Sequence, residues 1–224
     1  MNTPDRFSVA GIVFVKAPDP GAVKTRLSPR LDAGRAAVLA ARMALRTVGT
    51  VVEAGIGNVI VHGAPAATHP FFSLLRQRHG VRVEPQVGDD LGERMHHALA
   101  SALTDHDAAV LVGTDIPAMR AGDLAQAAMH LEHGADAVLG PAEDGGFWLV
   151  GLRRADPAVF SGISWGTAQT LEQALERMRA RAMRVELAPT RWDVDRPEDL
   201  DRIAADPSLC NLLEGLEKGT SRGC

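Results

Sequence analysis

The sequence predicts an α/β domain with a central, mostly parallel sheet flanked by helices. Short apolar runs alternate along the chain with longer segments of helical periodicity, the pattern of repeated βαβ units. One run, 108–112, is apolar at every position, as a strand covered on both faces must be, and it reads as central. The first run leads directly into a basic loop punctuated by Gly and Pro, V-F-V-K-A-P-D-P-G-A-V-K-T-R-L. That places the loop at the carboxyl end of a strand, where open α/β sheets bind their ligands.

The first strand covers 9–15. Asp32 caps a long Ala-rich helix that runs to the neighbourhood of Gly55 and Gly57, which stop it. A second strand at 59–62, a helix at 68–78 ended by Gly80, and a third strand at 81–84 follow. Leu91, Met95, Ala98, Leu99, Ala102 and Leu103 recur at helical spacing behind Asp89 and Asp90, which open that helix. The central strand ends in G-T-D-I-P, where Gly113 permits a sharp exit and Pro117 cannot continue a ladder. Then come a helix at 121–133, a strand at 135–139, the segment G-P-A-E-D-G-G, a strand at 147–151, a helix at 167–180 and a strand at 183–187. A last helix starts with Pro197 at its first position, where the missing N–H does no harm. No repeat or long linker divides the chain. One domain is expected over 1–206, with 207–224 as a C-terminal tail whose last part, 217–224, is polar and Gly-rich.

With 224 residues, 46% hydrophobic and 23% charged, the chain can bury a core without disulfides or metals. A net charge of −4 argues against a nucleic-acid partner, so any anion site is local. Cys210 and Cys224 both lie near the C-terminal end and read as free thiols in a reducing compartment. The apolar run 9–15 is too short to span a bilayer, and M-N-T-P-D-R-F lacks the apolar stretch of a signal peptide. A cytoplasmic protein is expected. The histidines show no metal-protease spacing, and no nucleophile elbow is present.

The chemistry concentrates in a few segments. Lys16, Lys24 and Arg26 bring three cations into one loop, and Gly21 lets backbone N–H groups approach a phosphate. The spacing is not that of a Walker A loop, and a solvated basic surface loop is the alternative. Asp115, just beyond the buried strand, can reach the same cleft and hold Mg²⁺; an ordinary turn aspartate is the alternative. Asp193 and Asp195 alternate with Val194, so in extended backbone both point the same way, a costly arrangement unless a cation bridges them. Asp195 can equally cap the last helix. Asp144, Gly145 and Gly146 form a hairpin turn or a loop that a substrate approaches, with Phe147 or Trp148 as a wall. Ser164, Trp165 and Thr167 bind an acceptor or cap a helix behind a buried Trp. Gln86, Gly88, Gly92 and Arg94 lie where the third strand gives way to a helix and can face a nucleotide; Arg94 can also be a solvated helix residue.

Taken in order, V-K-A-P-D-P-G-A-V-K-T-R-L, Q-V-G-D-D-L-G-E-R-M-H-H-A-L, G-T-D-I-P, G-P-A-E-D-G-G-F-W-L-V-G-L, F-S-G-I-S-W-G-T and D-V-D-R-P-E-D-L resemble a bacterial family of GT-A-like transferases. That family is labelled glycosyltransferase-like and is related to 2-phospho-L-lactate guanylyltransferase. The resemblance spans 9–203 and implies a nucleotide-diphospho-sugar transferase fold, GT-A and Rossmann-like. It implies that Lys16, Lys24, Thr25 and Arg26 meet nucleotide phosphates and that Asp115, Asp193 and Asp195 hold one or two Mg²⁺, with Mn²⁺ as a substitute. The stretch E-D-G-G-F-W departs from the guanylyltransferases, and the acceptor stays open between a sugar and a phosphorylated acid. Nucleotidyl transfer from a nucleoside triphosphate to a small phosphorylated acceptor is the leading expectation, with Lys24, Arg26 and Asp115 as catalytic residues. Glycosyl transfer from a nucleotide-sugar is the alternative, and a non-catalytic nucleotide-binding protein is the third. A monomer or homodimer is expected.

Overall fold

The computed structural model describes residues 7–216. Among them one sheet is formed by β1 (Val9–Lys16), β2 (Val59–Ala64), β3 (Arg82–Pro85), β4 (Ala108–Val112), β5 (Ala137–Pro141), β6 (Phe147–Leu152) and β7 (Val185–Leu187). Their order across the sheet is β3-β2-β1-β4-β6-β5-β7, so the wholly apolar β4 is the middle strand, buried at every residue. β1 runs parallel to β2 and β4, β2 to β3, and β5 to β7. β6 runs antiparallel to both β4 and β5. The reversal follows from chain length: the connection 142–146 is too short for a crossover, so β6 must return beside β5 as a hairpin.

Helices α1 (Ala33–Glu53), α2 (Pro70–His79), α3 (Leu91–Ala102), α4 (Ala121–Glu132), α5 (Thr170–Arg179) and α6 (Asp199–Ala205) cover the sheet. Alternation along β1 sets the layers. Val9, Val13 and Val15 meet Val48 and Val51 of α1, Leu75 of α2 and Leu124 of α4 on one face. Ala10, Ile12 and Phe14 meet Met95 and Leu99 of α3 and Met178 of α5 on the other. Capping explains the starts. Asp32 accepts from the Arg35 N–H at 2.9 Å and Asp90 from the Glu93 N–H at 2.8 Å. Gly80, at φ 67°, closes α2 in the left-handed conformation its lack of Cβ allows.

Four expectations need correction. The last helix begins at Asp199, not Pro197, because the Asp199 carboxylate takes the N–H groups of Asp195 and Arg196 at 2.9 and 2.7 Å and so makes a turn of the residues before it. Helix α5 begins at Thr170 rather than 167, since the Thr170 hydroxyl donates to the Ser164 carbonyl and holds that segment as a turn. The described part of the expected tail is packed: Leu209, Leu212, Leu213 and Leu216 are buried in a third apolar cluster with Leu39 and Met43 of α1, Leu200 and Ile203 of α6, Leu27 and Val194. Residues 217–224 lie outside the described chain. Among the described residues no cysteine is free, so the free-thiol reading fails for Cys210; Cys224 is not described. Among the described residues no helix is long and apolar enough to cross a membrane.

Candidate functional site

A cleft of about 590 Å³ opens at the carboxyl ends of β1 and β4, and the third apolar cluster builds its floor on one side. Val194 is fully buried in that cluster, and the period of two along extended backbone turns its neighbours Asp193 and Asp195 the other way, into the cleft. Leu27, also fully buried there, anchors a short 3₁₀ turn (Thr25–Leu27) and so fixes the basic loop just before it. The Val194 N–H donates to the Asp115 carbonyl at 2.9 Å, tying the end of β4 to the D-V-D segment. Three segments far apart in sequence therefore share one rim.

Their charges are paired across that rim. Lys24, whose side chain is only 10% exposed, places its ammonium on the Asp115 carboxylate and 2.5 Å from the Val194 carbonyl. Its backbone is left-handed at φ 49°, a conformation a lysine adopts only when its surroundings impose it. Arg26 reaches Asp195 at 2.5 Å, and the Lys16 ammonium donates to the Ala22 carbonyl at 2.7 Å, folding the loop on itself. Asp195 makes no cap for α6. Asp193 has no ion-pair partner among the described residues; burial pushes its carboxyl above the usual carboxylate range, and Asp144, Asp115 and Asp195 push the same way.

Among the described residues no three His, Cys, Asp or Glu side chains already converge into a metal cage. The donor set is nonetheless all carboxylate oxygen, suited to a hard divalent cation. Asp193 has no ion-pair partner among the described residues, while Asp115 and Asp195 are paired with Lys24 and Arg26.

The far wall is aromatic. Phe147 and Trp165 line it with ring centroids 6.1 Å apart and an edge-on angle of 73°. Gly92 does not line the cleft: a Cβ there would lie 2.8 Å from the Trp165 ring, so its bareness seats that ring. Trp148 also lines the cleft, but it is 4% exposed and donates its indole N–H to the Pro189 carbonyl at 3.1 Å. Asp144 and Gly146 line the cleft, whereas Gly145, at φ 87°, approaches Ala168 so closely that a Cβ would lie 2.3 Å from its carbonyl oxygen. The segment is thus a hairpin turn that borders the cleft. Thr167 lines the cleft, but its hydroxyl donates to the Ser164 carbonyl at 2.9 Å. Ser164, Gly21 and Arg94 stand outside the lining; Arg94 donates from Nε to the Gly88 carbonyl at 2.9 Å. Gln86 and Thr25 line it, with the Gln86 amide donating to the His62 carbonyl at 2.9 Å.

Sequence reading missed two kinds of residue. Phe14, Met95, Leu111 and Val150 form the cleft's apolar base, and their alternation shows which sheet face they occupy but not that the face runs into a cleft. The second kind positions the aspartates. Arg191 makes a bidentate pair with Asp123 of α4, Nη2 lying 2.7 and 2.8 Å from the two oxygens. Its backbone N–H donates to the Pro141 carbonyl at 3.0 Å, while Arg202 stacks over Trp192 at 4.3 Å. Residues 191, 192 and 194 are all anchored, so Asp193 and Asp195 are held from both sides.

Residues 38–167 match the model of a family described as an uncharacterized protein conserved in bacteria, DUF2064. A crystallised Desulfovibrio desulfuricans G20 protein, proposed to be a nucleotide-diphospho-sugar transferase, is 30% identical, with a TM-score of 0.81 over 93% of this chain and 95% of that one. CMP:2-keto-3-deoxy-manno-octonic acid synthetase, solved with CTP, shares the fold at 12% identity and TM-score 0.55, over 88% of this chain and 97% of that one. So does glucosyl-3-phosphoglycerate synthase from Mycobacterium tuberculosis, solved with Mn²⁺, UDP and glucosyl-3-phosphoglycerate, at 10% identity and TM-score 0.52, over 95% and 82%. Comparison with curated proteins returns no match. The fold is that of the nucleotide-diphospho-sugar transferases, and the 30% identical protein places the chain among transferases.

Proposed function

The chain belongs to the DUF2064 family, and on that premise we propose that it is a divalent-cation-dependent nucleotidyltransferase that joins a nucleotide from a nucleoside triphosphate to a small phosphorylated acceptor. The observation that carries this reading is the pairing of Lys24 and Arg26 with Asp115 and Asp195 across one cleft, with Lys16 on the same loop. Three cations from one loop match the charge of a triphosphate better than that of a diphosphate. The likeness of K-T-R-L and D-V-D-R-P-E-D-L to 2-phospho-L-lactate guanylyltransferase supports the same choice.

An acceptor phosphate oxygen attacks the α-phosphorus of the triphosphate. A new P–O bond forms there, the bond from that phosphorus to the α,β-bridging oxygen breaks, and pyrophosphate leaves with the electron pair. Lys24 and Arg26 hold the β- and γ-phosphates and stabilise the charge that gathers on the leaving group. Lys16 secures the loop that carries them. Asp115, Asp193 and Asp195 would hold the cation, Mg²⁺ or Mn²⁺, which supplies charge neutralisation and alignment of the phosphates. Phe147 and Trp165 form the wall that excludes water from the acceptor's side of the cleft.

A thermal-shift panel of nucleoside triphosphates and nucleotide-sugars, with Mg²⁺ or Mn²⁺, tests the reading. A triphosphate at a hundred times its Kd stabilises by about 2.7 kcal/mol. Stabilisation by a UDP- or GDP-sugar, with no response to any triphosphate, would replace the reading with glycosyl transfer, which the aromatic wall facing the hairpin also suits.

A further inference from the structure

Resting on the nucleotide reading above, we propose that the basic loop and the cleft aspartates form a charge-exchange latch: without ligands the loop's cations are satisfied by the carboxylates, and metal and triphosphate open the latch together. Lys24 lies on Asp115 and Arg26 on Asp195. The same four side chains are the ones a metal–triphosphate complex would use, the cations for phosphate and the carboxylates for metal. A triphosphate arriving alone must pull Lys24 and Arg26 away and strand two carboxylates beside Asp193 and Asp144. A divalent cation arriving alone must strand the two cations, one of them with a side chain 10% exposed. Either half of the exchange leaves unpaired charge in a cleft that already holds like charges, whereas the complete exchange leaves every group paired.

The left-handed backbone of Lys24 and the bond from its ammonium to the Val194 carbonyl give the closed arrangement a definite geometry. Val194 is fully buried, so that carbonyl cannot follow the lysine when it leaves. The latch therefore has two discrete states, and the two ligands are coupled through them. Each raises the other's affinity by the same factor, as linkage requires.

Inorganic tripolyphosphate reads the phosphate half without a choice of base, by calorimetry in EDTA and again with Mn²⁺. Mn²⁺ alone, followed by the EPR signal of the free ion, reads the carboxylate half. Asp115→Asn/Asp195→Asn is expected to bind metal-free tripolyphosphate about tenfold tighter than the wild type, within the roughly 5- to 150-fold range of such couplings. Arg26→Gln, a change at a side chain 75% exposed and so safe for folding, is expected to bind Mn²⁺ alone several-fold tighter. Asp144→Asn removes a cleft carboxylate with no ion-pair partner among the described residues, so it relieves like charge without freeing a cation, and it is expected to raise metal-free tripolyphosphate affinity clearly less than the double variant does. No gain in the double variant, no gain in Arg26→Gln, or an equal gain in Asp144→Asn overturns the latch while leaving the nucleotide reading intact. Failure of tripolyphosphate to bind any of these proteins, with or without Mn²⁺, removes the nucleotide reading and the latch with it.

Discussion

Lys24 shows how much one position can be asked to do. Its backbone takes a conformation disfavoured for a side chain with a Cβ, at a cost of about 1–3 kcal/mol, and the gain is an ammonium fixed between the Asp115 carboxylate and the Val194 carbonyl. Lys24→Ala is expected to abolish triphosphate-induced stabilisation and to slow pyrophosphate release by about 10²–10³-fold, the usual loss when one preorganised charge donor is removed. Unchanged pyrophosphate release would sink the role assigned to it. His62 is a residue of a different kind. It is 2% exposed, and burial holds its imidazole below the usual histidine range, so it takes up a proton more readily in the unfolded chain than in the fold. The unfolded chain then binds the extra proton, and stability rises with pH through this window. The urea midpoint should fall as pH drops through the unfolded histidine value of 6.5, with a shallower fall in His62→Gln. Equal slopes in the two proteins would rule His62 out as the cause.

At the scale of elements, the D-V-D segment is held by residues with no chemistry of their own to advertise. Arg191 pairs with Asp123, whose side chain is 9% exposed, and so joins this segment to α4. Removing one partner of such a pair leaves the other buried and uncompensated. Arg191→Ala should lower stability by about 3 kcal/mol in urea unfolding and weaken Mn²⁺-dependent nucleotide binding. A loss of stability with binding untouched would mean that Arg191 supports the fold alone. The hairpin between β5 and β6 follows the same logic. D-G-G reads as a turn from sequence, and it is one, but only the approach of Gly145 to Ala168 shows that the turn also braces the start of α5.

For the whole molecule, the third apolar cluster is the element that makes one site from distant pieces. It joins the turn after the basic loop, α1, the residue between the two aspartates, α6 and the segment up to Leu216. Leu212→Ala, at 4% exposure, is expected to cost about 2–5 kcal/mol, a large part of an ordinary domain's stability. Because Leu212 belongs to the cluster that also buries Val194 and Leu27, the affinity for tripolyphosphate should fall as well. Calorimetry on the folded variant would separate the two effects, and full affinity would show that the cluster does not position the rim.

Much of this was legible from the sequence alone because it is local. Apolar periodicity defined the layers, uniform apolarity placed β4 at the centre, Asp32, Asp90 and Gly80 marked helix ends, and the alternation in D-V-D set both aspartates on one side. Composition and ordered motifs identified the fold and nominated the loop's cations. What only the tertiary structure decided is which of these groups meet. Lys24 is 91 residues from Asp115, and Arg26 is 169 from Asp195. No spacing rule spans such distances, since ion pairing across them depends on how the buried leucines of one cluster fit together. The same packing converted an expected tail into part of the core, and close contacts elsewhere, with Trp165 and Ala168, keep Gly92 and Gly145 out of the cleft lining. Local patterns say what each residue is able to do, and the packing of apolar surface against apolar surface determines which partner it does it with.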